Sequence, residues 1–355
     1  MQLEKIKAFI IKNYLLLILL VIAFLVIFIF WLFYSFTIQN LSFESKVSHI
    51  VRLRENRILD GKLVPIEESQ LRPIAVMLEN HSESRPVAGL EYASIIYEII
   101  IEGDITRFLA IFDPKISAKK IGPVRSVRPF FVELAEEYNV VLFHAGGSQD
   151  AMYKLTYSSV YNINEISGDG IYFWRDSSRE MPHNLFTSIS LMERAIKAKG
   201  EGLETKADFE PWLFKKDNPK SRDYPDYPTG EKWEKAHEIK VDFNNNLLYQ
   251  VEYKYNEEDN NYTRYLANEI HKTERGIILK AKNIIIQHVA YDIIDDYGRL
   301  DINITGRGQA QIYKDGRMIE AYWLKPKNGR TLFYDLGNRE IKFNKGVIWV
   351  ELLFN

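Results

Sequence analysis

Cysteine is absent from the 355-residue chain, which excludes disulfides, thiol catalysis, cysteine-ligated zinc and acylation of a lipobox cysteine. A charge surplus is missing too. The 46 Lys and Arg stand against 48 Asp and Glu, a net of −2 at neutral pH, so no basic bias attracts a polyanion and nucleic acid is set aside. No Walker loop, G-x-S-x-G elbow or G-x-G-x-x-G occurs, and Gly306-Arg307-Gly308 reads as a turn beside a strand. His81, His144 and His183 are dispersed with no H-E-x-x-H spacing. No metal and no cofactor is therefore expected.

What the chain does have is one long apolar run. From Asn13 through Phe43 there is no charged residue, and Tyr14 to Tyr34 reads YLLLILLVIAFLVIFIFWLFY. About 20 apolar residues span a bilayer as a helix. Lys5, Lys7 and Lys12 precede the run, whereas Glu44 and Lys46 are the first charges after it. That asymmetry predicts a single-pass plasma-membrane protein with a cytoplasmic N-terminus and the remaining bulk extracytoplasmic. The run is too long for a cleaved signal and continues through Trp31, Phe33 and Phe36 with no A-x-A-like site.

The expected organisation is a basic tail (1–13), a bilayer-spanning anchor (14–36), a stalk (37–70), an α/β domain (71–205), a Pro-rich connector (206–232) and a β-rich domain (233–355). Pro73 to Leu78 is a compact buried-strand candidate, and Ser94 to Ile101 with Arg107 to Phe112 form a hairpin about Glu102-Gly103-Asp104. Pro129 opens a helix, and Ser148 and Thr187 or Ser188 cap two more. Beyond Trp233 the alternation is that of strands, and Asp315-Gly316 marks the cleanest hairpin. The fold class is an α/β N-terminal domain plus a mainly β C-terminal domain, preceded by one transmembrane helix.

The charged residues gather in two segments. In the first, Glu98, Glu102, Asp104 and Arg107 precede Gly122-Pro123-Val124-Arg125-Ser126-Val127-Arg128. Even spacing on a strand puts Glu98 and Glu102 on one face, and Arg125 and Arg128 flank a strand-to-helix junction suited to phosphate or carboxylate. The bland reading is a set of ion pairs between neighbouring strands. In the second, Arg175 and Arg179 precede His183-Asn184, where His183 is a candidate proton shuttle and the arginines add to an anion site. The alternative there is a loop held by Asp176 and Arg179. His144 closes an apolar strand before Gly146-Gly147, a place where α/β sheets bind ligands.

In order along the chain, Arg72-Pro73-Ile74-Ala75-Val76-Met77-Leu78-Glu79-Asn80-His81, Arg85-Pro86, Ile96-Tyr97-Glu98, Ile105-Thr106-Arg107-Phe108, Ile121-Gly122-Pro123-Val124-Arg125-Ser126 and Pro182-His183-Asn184-Leu185 resemble the N-terminal domain of the YerB-like family. Asn283 to Gln287, Gly306-Gly308-Gln309-Ala310 and Gly346 to Val350 are similar to its C-terminal domain. The resemblance implies a bacterial envelope protein, often a lipoprotein, in a family to which no reaction is assigned. Many relatives carry a lipobox Cys that this chain lacks, so the helix would replace the lipid. Three functions are thus open: binding or processing of an anionic wall glycan or polyprenyl-phosphate precursor through Arg107, Arg125, Arg128, His144, Arg175, Arg179 and Asn184; glycan cleavage by Glu98, Glu102 or Asp104; and a non-catalytic scaffold for a protein partner of unknown identity.

Overall fold

The computed structural model describes residues 2–50, 53–200, 205–216, 234–327 and 329–354. The chain forms two compact units, Met1–Arg54 and Glu55–Asn355. In the first, α1 (Gln2–Ile50) is one continuous helix on which Tyr14, Phe24, Phe30 and Trp31 are all exposed. The expected transmembrane helix at 14–36 is not supported as such, since among the described residues no helix is long and apolar enough to cross a membrane.

In the second unit the principal strands are β1 (Ile74–Glu79), β2 (Ile95–Ile101), β3 (Ile105–Phe112), β4 (Val141–His144) and β5 (Tyr161–Asn164). They are followed by β6 (Val251–Asn256), β7 (Asn261–Leu266), β8 (Asn283–Ile293), β9 (Gly306–Lys314), β10 (Arg317–Lys325) and β11 (Ile348–Phe354). Nine of the strands of one twelve-stranded sheet run in the order β10-β9-β8-β11-β2-β3-β1-β4-β5. The first half of the unit is mixed α/β and the second mainly β. Both contribute to this sheet, because β11 lies parallel to β2 with Glu351 beside Glu98 and Trp349 beside Ile96.

The near-continuous apolar character of β1, β2 and β3 follows from burial on both faces. Alternation sends Ala75, Met77, Tyr97 and Leu109 to one face, where α2 (Pro129–Glu136) and α3 (Gln149–Tyr157) bring Phe130, Phe131, Leu134 and Leu155. The opposite residues Val76, Leu78, Ile96 and Phe108 meet Val251, Tyr253, Tyr262 and Leu266 of a second sheet built on β6 and β7.

The local signals produce these elements directly. Pro129 occupies the first turn of α2, and the Ser148 side chain accepts from the Ala151 N–H at 3.3 Å. Ser188 caps α4 (Ile189–Ala198) in the same way. Gly103 and Asp104 take φ of 76° and 56° between β2 and β3, while Asp315 and Gly316 take 55° and 68° between β9 and β10. Two consecutive positive φ values are what a type I′ hairpin demands.

The stalk expected at 37–70 is corrected in its second part. Leu59 is buried in the core, Asp60 is fully buried, and Arg57 hydrogen-bonds Asp60 from Nε at 2.9 Å. Arg57 also pairs with Asp113. These residues are the edge of the folded unit, because mixed polarity there encodes a buried ion-pair cluster rather than a solvated spacer. Residues 217–233 of the expected connector lie outside the described residues; before them Leu213–Lys215 pairs with Lys342–Asn344 and Trp212 is buried.

Candidate functional site

Two polar clusters flank the β1–β2–β3 strands, on opposite faces. Glu98 belongs to the sealed one. Its carboxylate accepts from Asn80 Nδ2 at 2.9 Å and Thr106 Oγ1 at 2.5 Å, and it forms an ion pair with Arg264 from β7. Arg264 reaches Glu351 at 3.9 Å, donates to the Tyr253 hydroxyl at 3.1 Å and lies 4.2 Å above the Trp349 ring. Glu98, Arg264 and Glu351 are each fully buried. Desolvation first, then the neighbouring Glu98, pushes the Glu351 carboxyl up to about 8. Desolvation, reinforced by Arg264, holds the imidazole of His271 well below its usual range. Such a network is a clasp between the two halves of the unit and offers a ligand no access.

The expectation that Glu98 and Glu102 project from one face of a strand is corrected. Even spacing holds only while the strand lasts, and β2 ends at Ile101, so Glu102 sits in the turn. There it pairs with Arg128, whose Nε donates at 3.0 Å. In the ladder Glu98 lies opposite Phe108, and Arg107 lies opposite Ile99. One residue of register thus puts Glu98 and Arg107 on opposite faces. Asp104 contributes its backbone carbonyl to Asn244 at 3.0 Å.

The second cluster gathers at the carboxyl end of β1, the end at which parallel α/β strands present ligand sites. The 121–128 segment is threaded there by backbone bonds: Glu79 N to Pro123 O at 3.0 Å, Arg125 N to Met77 O at 3.0 Å and Ala145 N to Arg125 O at 3.1 Å. Glu79, opposite Arg107 in the ladder, receives Arg125 Nη2 at 2.7 Å and lies 3.0 Å from His183 Nδ1. Arg107 donates to the Ser126 carbonyl at 2.8 Å, and Arg128 reaches the Ser126 hydroxyl at 3.3 Å. Two guanidinium groups, Arg107 and Arg128, therefore meet at Ser126, while Arg125 next to it in sequence pairs with Glu79 and Arg128 with Glu102. Arg107 is largely buried and forms no ion pair among the described residues; burial and Arg125 pull it down to about 10. His81 stacks on His183 with ring centroids 5.0 Å apart, and with Glu83 the pair forms a group able to hold a metal ion.

The remaining candidates lie elsewhere. His144 is fully buried, with Nδ1 2.7 Å from the Gly146 carbonyl and Nε2 3.2 Å from Asn162 Oδ1, and burial lowers its pKa. It shapes the strand end. Arg175 is held by Asn184 Oδ1 at 3.0 Å and Glu165 at 3.2 Å. Arg179 donates to the carbonyls of Ser84 and Pro86 at 2.7 and 2.8 Å and to Glu274 at 3.0 Å. Arg175, Arg179 and Asn184 fasten loops, but not through the expected pairing of Asp176 with Arg179: Asp176 pairs with Lys120 at 2.6 Å and Arg179 with Glu274.

Residues 60–203 match the domain described as "Protein of unknown function (DUF3048) N-terminal domain", and residues 239–350 match the DUF3048 C-terminal domain. The chain is 33% identical over 298 residues to a Bacillus subtilis (strain 168) protein named "Putative lipoprotein YerB", covering 83% of this chain and 85% of the relative. The chain belongs to the YerB-like, DUF3048 family. The crystal structure of the YerB protein from Bacillus subtilis superposes with a TM-score of 0.73 at 31% identity, over 84% of this chain and 96% of that one.

Within this YerB-like fold several cluster residues escape a reading of local motifs. Arg264 occupies a core position of the alternating segment Tyr262-Thr263-Arg264-Tyr265-Leu266, and Glu351 interrupts the apolar run Trp349 to Phe354. A charge at core parity is the signal for both. Glu79 and Asn80 are adjacent, so alternation sends Glu79 to the open cluster and Asn80 to the clasp.

Proposed function

We propose that this chain is an extracytoplasmic envelope protein held at the membrane by α1, and that the arginine cluster around Ser126 binds an anionic envelope ligand, a wall glycan or polyprenyl-phosphate precursor. The anchor reading rests on the charge-free run in α1, its exposed apolar side chains and the lipoprotein name of a relative. With no cysteine in this sequence, a helix takes the place of a lipid.

The observation that carries ligand binding is Arg107. A largely buried guanidinium that forms no ion pair among the described residues, and on which burial and a second arginine outweigh the nearby Glu79, is costly until an anion completes it. Glycan cleavage by Glu98, Glu102 or Asp104 has no comparable support, because the three share no cleft. The test uses the full chain in detergent micelles and equilibrium binding of polyprenyl diphosphate and purified wall glycan. Arg107→Gln should weaken binding about tenfold or more, while Arg175→Gln leaves it unchanged. Equal binding by wild type and a folded Arg107→Gln protein would remove the proposal.

A further inference from the structure

Dispersed in sequence, His81, Glu83 and His183 are brought together by two loops at the end of β1. One ligand atom from each lies within 4.8 Å of the others. His183 Nε2 stands 3.4 Å from Glu83 Oε2, and His81 Nδ1 stands 3.9 Å from the same oxygen. Metal bonds of about 2.0–2.1 Å at tetrahedral angles put ligand atoms roughly 3.4 Å apart. The observed spacing needs only a small contraction. His81 would give up its 3.3 Å contact with the Glu83 N–H.

A second observation concerns what lies behind His183. The buried Glu79 carboxylate stands 3.0 Å from His183 Nδ1, the nitrogen turned away from Glu83. A carboxylate behind a ligating imidazole fixes the tautomer that leaves Nε2 free and raises its basicity. Yet the contact is off-line: His183 Nδ1 and Glu79 Oε2 are both buried without an aligned hydrogen-bond partner. Arg125 on the other side of Glu79, at 2.7 Å, balances that carboxylate and leaves Glu83 as the one carboxylate ligand.

We propose that His81, Glu83 and His183 form a binding site for a divalent transition cation of the zinc class, with Glu79 positioning His183. Two imidazoles and one carboxylate suit such a cation and disfavour Ca²⁺ and Mg²⁺, which select all-oxygen sets. Three protein ligands leave a fourth position for water or a ligand atom. The site is independent of the anion reading, because none of its ligands is a guanidinium.

The test is equilibrium dialysis of the metal-free full chain in micelles against Zn²⁺, with the visible spectrum of the Co²⁺ form as a second readout. One equivalent of Zn²⁺ and a tetrahedral Co²⁺ spectrum are expected. His81→Ala and Glu83→Gln, at the more exposed positions, should each abolish stoichiometric binding, and Glu79→Gln should weaken it about 10–100-fold. Thermal unfolding should show Zn²⁺ stabilising the wild type and not the His81→Ala protein. Failure of the wild type to take up one equivalent would overturn the proposal. So would undiminished Zn²⁺ affinity in His81→Ala and Glu83→Gln proteins with wild-type circular dichroism.

Discussion

The two polar clusters on either side of β1–β3 use the same chemistry to opposite ends. Around Glu98, acid, guanidinium, amide and hydroxyl groups are shut away from solvent, and Arg264 joins acids from two halves of the chain. Around Ser126 and Glu79, guanidinium groups outnumber carboxylates and buried atoms lack partners. The network around Glu98 is sealed and joins the two halves, although Glu351 Oε2 lacks a partner there, whereas the one at the strand end is the site proposed for a ligand. The difference shows why a conspicuous acid such as Glu98 is a poor guide to function until its face of the sheet is known.

The sharpest way to break the comparison is in the clasp. Arg264→Met leaves two buried carboxyl groups without their cation, and should destabilise the protein by about 3–5 kcal/mol, measured by chemical denaturation. A loss as small as that of a surface substitution would show that the clasp does not join the halves. Next in size is a pH effect. With its folded pKa raised to about 8, Glu351 contributes stability that is full below its unfolded pKa and is lost as pH rises through about 8. Glu351→Gln should remove that decline, so denaturation midpoints of variant and wild type should converge or cross between pH 5 and 8. Parallel curves would contradict the assignment. His271, held neutral by burial, acts the other way, losing its contribution as pH falls through the usual histidine range.

On the open side, Arg107→Gln should change stability less than Arg264→Met while weakening anion binding about tenfold or more. The reverse ordering would make the arginine cluster a second structural clasp. The smallest effect belongs to Arg175→Gln, which breaks an exposed pair with Glu165 and should cost about 0–1 kcal/mol with no effect on binding.

Much of the fold was legible because it rests on local chemistry. Pro129, Ser148 and Asp315-Gly316 each impose one backbone choice, and the structure makes those choices. The site was legible only in part. Arg107, Arg125, Arg128 and His183 do meet at one end of the sheet, while Glu98, His144, Arg175, Arg179 and Asn184 are engaged elsewhere. What a chain of letters withholds is register: a single step across the β2–β3 hairpin decides that Arg107 faces Glu79 rather than Glu98. The convergence of His81 with His183 likewise depends on two loops distant in sequence. The apolar run in α1 was evident from the start, but the proposal that it anchors the chain rests on composition alone, since among the described residues no helix is long and apolar enough to cross a membrane.

The most direct measurement compares unfolding midpoints of wild-type and Arg107→Gln protein with and without saturating polyprenyl diphosphate. Ligand that binds the native state raises the midpoint by mass action. The account predicts a rise for the wild type and little or none for Arg107→Gln. An equal rise in both, or none in the wild type, would contradict it.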